Sequence, residues 1–259
     1  MDSYKLIDKL DLWKNRIIVA STIITLTLNF NEHYGFLKKY EWYTKNSINT
    51  IIGINAAFVA CYIVIEIILT TTFQKAEGRR ILRYIDNSFN TNFSAAAIPQ
   101  TGYFSQDTLT PGIYKMCINC FENALFSYTI TKRMATSRYI KAGIVFIVFI
   151  FTATIGDTGT VRYLTDAILP LSLIQEAIKF YLYTSRLENI YDGFASFFTN
   201  LNGQVSDFDR KHSEALKLLI TYETTLAWSS IKLDSAIFGE LNPSLSHEWE
   251  LLKQQYNIN

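Results

Sequence analysis

Histidine, cysteine, proline and charge are all scarce in this chain, and each scarcity removes a class of function. The three histidines, His33, His212 and His247, have no HExxH or HxH companion, so zinc hydrolase chemistry is not expected. Three cysteines, Cys61, Cys117 and Cys120, cannot all pair, which fits a reduced face better than a disulfide scaffold. With 11 Gly and 4 Pro against 16 Tyr and 18 Phe, collagen-like and long disordered chains are excluded. Charged residues make up 18%, against about 25% in soluble proteins. The charges cancel, 24 Lys and Arg against 23 Asp and Glu, so no basic surface for DNA or RNA is expected. No glycine-rich phosphate loop or serine nucleophile elbow occurs, and Gly156-Asp-Thr-Gly159 lacks the lysine of a nucleotide loop. No enzyme activity and no cofactor or metal are expected.

What the chain does contain is apolar runs. Mean hydropathy is +0.11, an intermediate value that suggests apolar segments for a bilayer and polar ones for water. Ile17–Phe30 carries no charge but contains Ser21, Thr22, Thr25 and Thr27. It is shorter than the roughly 20 residues of a span, unless extended from Trp13 towards Leu37. Ile48–Phe73 has a single charge, Glu66, and no polar face, which argues against a surface helix of a soluble protein. Tyr139–Ile155 holds a dense core over 144–151. Tyr163–Tyr183 is broken by Asp166, Pro170, Glu176 and Lys179, charges that are costly in lipid unless they face protein or water. The turn at Gly156–Gly159 would join the last two runs as a hairpin.

These runs predict an all-α polytopic membrane protein. Four spans form two hairpins, with a helical cytosolic insert and tail. The corresponding segments are an N-terminal helix over 1–16, a first pair over 17–73, an insert over 74–138, a second pair over 139–183 and a tail over 184–259. The opening, Met1–Arg16, mixes both signs and reads as a short helix rather than a signal segment. Lysine and arginine counts put both ends and the insert in the cytosol, since Gln74–Lys141 alone carries nine. Within the insert a loop is expected over Asn90–Gly112, then a helix over Ile113–Met134. In the tail, helices are expected over Leu187–Leu201 and Phe208–Phe238, with a last one capped by Asn242 and opened by Pro243.

The candidate functional residues are polar groups in apolar surroundings. Asn55, Glu66, Asp166 and Glu176 could line a pore or gate, or could hold helices together. For Glu66 a structural reading is pairing with Lys75 or a neighbouring helix. Asp166 and Glu176 lie about 80° apart around a helix, and Pro170 between them is a candidate hinge. Arg79, Arg80 and Arg83 form a basic cluster after the second run, either an anion site or ordinary cytosolic anchoring. Cys117-Ile-Asn-Cys120 has redox or zinc spacing. Alone and without a βαβ setting, it reads as packing cysteines.

The stretch Gln74-Lys-Ala-Glu-Gly-Arg-Arg-Ile-Leu-Arg-Tyr-Ile-Asp86, the stretch ending Lys132-Arg133-Met134, and the tail resemble the SMODS-associated four-transmembrane effector family. The likeness is one of layout over nearly the whole chain. It implies a bacterial anti-phage effector of the inner membrane, a homo-oligomer. A cyclic (oligo)nucleotide signal or a partner protein would switch the cytosolic parts, and the spans would breach the membrane. Two other functions fit the residues alone: a small constitutive channel or transporter, and a scaffold whose tail, with Trp249 and Leu252, recruits a partner.

Overall fold

The computed structural model describes residues 2–35, 37–40, 42, 44–94, 106, 108–155 and 160–258. The chain is all-α, with no strand among the described residues. Among the described residues six long helices follow in order: α1 (Asp2–Tyr34), α2 (Lys45–Phe89), α3 (Ile113–Ile155), α4 (Thr160–Leu201), α6 (His212–Ser229) and α7 (Ser235–Gln255). A single turn, α5 (Val205–Phe208), and a 3-10 turn lie between α4 and α6. The Gly156–Gly159 turn and most of the Asn90–Gly112 loop lie outside the described residues.

Several expected breaks are absent. The N-terminal helix and the first apolar run are one helix, and so are Ile113–Met134 and the third run. Nothing in either junction is a glycine cap or a proline, so the backbone ladder has no reason to end. The last two helices divide differently as well. Ser230 adopts a left-handed conformation (φ 50°) that stops α6, and Asp234 caps α7 by accepting from the backbone N–H groups of Ala236 and Ile237 at 2.8 and 3.0 Å. Pro243 therefore lies inside α7 rather than at its start.

Among the described residues two helices, not four, are long and apolar enough to cross a membrane: α2, and α3 over Ile113–Phe151. In their most apolar stretches only 17% and 11% of residues are buried, far from what a soluble core helix requires. α1 falls short because hydroxyls and Asn29 interrupt its uncharged run, and α4 because Glu176 and Lys179 do.

The chain forms two compact units. One comprises Met1–Phe73 and Ser137–Ile178, the other Gln74–Thr136 and Lys179–Asn259. The first has a small apolar centre of Ile18, Val59, Tyr62, Val145 and Leu173. Its large apolar side chains mostly point outwards, among them Ile23, Val64, Ile67, Ile144, Ile147 and Leu171. The second is ordinary in the opposite sense. Phe121, fully buried, stacks on Phe194 and Phe198 and meets Trp249 edge-on at 5.4 Å between centroids. Cys117 and Cys120 are fully buried in this aromatic core, where burial pushes both thiols up, away from the reactive thiolate.

Candidate functional site: a buried lysine between two glutamates

The inward face of α1 is set by the spacing of Ile7, Lys14, Ile18, Ser21, Thr25 and Leu28, all buried and separated by three, four or seven residues. That stripe carries Lys14 inside with its apolar neighbours. An isolated ammonium there would be strongly disfavoured, so its partners decide whether the position is tolerable.

The partners come from two other helices. Lys14 Nζ donates to Glu66 Oε2 of α2 at 3.1 Å and to Glu176 Oε1 of α4 at 3.0 Å. Asp11, one turn earlier on α1, lies 3.7 Å away. Tyr62, one turn before Glu66, donates its hydroxyl to the same Glu176 oxygen at 3.2 Å. The lysine side chain is only 10% exposed, while Glu66 and Glu176 retain 42% and 30%. A fourth helix joins through Lys141 of α3, whose ammonium donates to Asn15 Oδ1. Asn15 in turn donates to Asp11 at 2.9 and 3.3 Å. One charged network thus ties α1 to each of α2, α3 and α4.

Asn55 belongs to a separate layer. It accepts from Ser21 Oγ at 2.6 Å and donates to Thr25 Oγ1 at 3.1 Å, holding α2 against α1. Eleven residues separate it from Glu66, about 16 Å along the helix. Of the intramembrane candidates, then, Glu66 and Glu176 meet at Lys14 and Asn55 does not join them. The Asp166 side chain lies outside the described residues. Pro170 is buried inside α4, which continues through it. Glu66 pairs with α1 rather than with Lys75. Sequence reasoning counted Lys14 only as a flanking charge and passed over Tyr62. The signal was the position of Lys14 on the stripe that Ile7, Ile18 and Thr25 define.

In the other unit the arginine cluster is divided. Arg80 donates to Glu77 at 2.7 Å and grips Glu223 of α6 with both terminal nitrogens, at 2.5 and 3.4 Å. All three side chains are under 20% exposed, so the Arg80 charge is spent inside the fold. Arg79 is exposed and donates to the backbone oxygen of Lys75, and Arg83 is half-buried. On α3, burial pushes the Glu122 carboxyl up to about 7, against a hydrogen bond from Gln106 at 3.3 Å and the nearby Lys253 that favour ionisation. Among the described residues no group of three His, Cys, Asp or Glu side chains could hold a metal ion.

Comparison with protein-family models, with curated proteins and with solved structures finds no match.

Proposed function

We propose that this chain is a non-enzymatic membrane effector held at rest by the Lys14–Glu66–Glu176 network. In this reading α1 to α4 cross the bacterial inner membrane as two pairs, with both ends and the insert in the cytosol. The observation that carries it is the burial of one ammonium between two carboxylates within a unit whose outer surface is apolar. In hydrocarbon such charges are tolerated only when paired or wet, and they mark places where a bundle can change state. An arrangement that separates Lys14 from its partners would leave two carboxylates in need of water and open a polar path for cations. A signal would act by binding that second arrangement more tightly. The resemblance to the SMODS-associated effectors supplies the setting: a homo-oligomer that answers a cyclic (oligo)nucleotide or a partner protein, and stops growth of a phage-infected cell.

The test is inducible expression in a bacterial host, with and without the genes that flank this one. Membrane potential is followed with a voltage-sensitive dye. Depolarisation that requires the trigger supports an effector. An intact potential under phage infection and under every flanking gene product would sink it. The 42% exposure of Glu66 favours a second reading, a constitutive cation channel. Leak without any trigger, abolished by Glu66→Gln, would select it.

A further inference from the structure

α4 passes from one unit to the other between Ile178 and Lys179. Just beyond that point Lys179 and Arg186 lie seven residues apart, two turns, and so share a face. Both approach the indole of Trp228, near the end of α6. Lys179 Nζ is 5.9 Å from the ring centroid and Arg186 Cζ 4.3 Å. Trp228 is 41% exposed and Arg186 is exposed. Neither cation has a carboxylate partner among the described residues, in contrast to Arg80, which has two. A ring face attracts a cation but does not neutralise it, so the N–H edges of both groups remain open to an anion. On the same face Leu182, three residues after Lys179 and four before Arg186, is 42% exposed and gives apolar contact beside the two charges.

We propose that Lys179, Arg186 and Trp228 form a binding site for the phosphate of an anionic phospholipid. Tryptophan beside lysine and arginine is the combination that settles at headgroup level. A lipid phosphate, rather than a free one, fits because Lys179 directly follows Ile178, 56% exposed, within α4, and exposed Leu182 lies between the two cations. The site rests on the reading that α4 crosses the bilayer and leaves it at Ile178.

The experiment uses the full chain. Membranes are first washed with alkaline carbonate. The protein is then purified in a mild detergent, mixed with equal amounts of phosphatidylglycerol and phosphatidylcholine, and its retained lipids are counted by native mass spectrometry. The expected result is preferential retention of phosphatidylglycerol. Each of Lys179→Gln and Arg186→Gln should weaken that retention about fivefold, and the pair roughly 25-fold. Arg210→Gln, a control at an exposed arginine of the same unit, should leave it unchanged. Trp228→Phe should keep more of the preference than Trp228→Ala. Far-ultraviolet circular dichroism confirms that the variants keep their helices. Retention that survives excess inorganic phosphate supports a lipid site, and displacement by phosphate overturns it. Equal retention of the two lipids, or a double variant that matches wild type, also overturns it. Release of the chain by carbonate would overturn the spanning of α4. Firm insertion without lipid preference would overturn this site alone.

Discussion

Replacing Lys14 by methionine keeps most of the side-chain volume and removes the charge that Glu66 and Glu176 share. At about 3 Å and an effective dielectric of about 20, each contact is worth ~5 kcal/mol of gross attraction, most of it offset by the cost of burying the ions. Breaking a buried pair by deleting one partner typically costs about 3–5 kcal/mol. Glu66 and Glu176 are 42% and 30% exposed, so water screens the orphaned carboxylates, and about 2–3 kcal/mol is the better expectation. Unfolding of the purified chain in mixed micelles, as a function of denaturing-detergent fraction, reads this directly. Adding Glu66→Gln and Glu176→Gln to Lys14→Met should restore most of the loss, because of the carboxylates around Lys14 only Asp11, 45% exposed and hydrogen-bonded by Asn15, then stays charged. Glu176 should couple to Lys14 more strongly than Glu66 does, being less exposed and also bound by Tyr62. A Lys14→Met protein as stable as wild type, within about 0.5 kcal/mol, would refute the idea that this ammonium holds the helices together.

Four further outcomes can be checked. Arg80→Met strands Glu77 and Glu223 at under 20% exposure and should cost about 3 kcal/mol in thermal unfolding, with an unchanged melting curve counting against the ion-pair reading. Asn55→Leu removes the bonds that link α2 to Ser21 and Thr25 of α1 and should cost about 1–3 kcal/mol in the micelle assay. The folded Glu122 carboxyl, raised to about 7, binds a proton more readily than the unfolded one. Stability should therefore fall as pH rises from about 4.5 through 7, by about 1–2 kcal/mol after allowance for residual solvent access. Glu122→Gln should remove that slope and be the more stable protein at about pH 8; an identical slope in both proteins would reject the assignment. Gly203 has φ 72°, and a Cβ there would lie 2.7 Å from Asn257 Cβ, so Gly203→Ala should lower stability by about 1–2 kcal/mol, read by circular dichroism on heating.

The helical class was written in the order of the residues. Apolar runs of helical length with few glycines and prolines leave a chain little alternative, and the stripe Ile81, Leu82, Ile85 and Phe89 does lie on one continuous helix. Cys117 and Cys120 read correctly as core residues because their neighbours Phe121 and Leu125 recur at helical spacing. Where helices end was less legible. Local signals at Asn242-Pro243 resembled a start, yet Asp234 makes the cap, since capping depends on which side chain reaches the open N–H groups. Arg80 looked like one of three equal cations until α6 brought Glu223 to it across 143 residues of chain.

The central pairing lay furthest from view. That Glu66 and Glu176 needed partners followed from composition alone, because a carboxylate among apolar neighbours must find a donor or water. That the donor is Lys14, 52 residues from one and 162 from the other, is decided only when α1, α2 and α4 come together. Periodicity constrains what lies on one helix face. It carries no information on which faces meet, and the energy of a buried charge is fixed by that meeting.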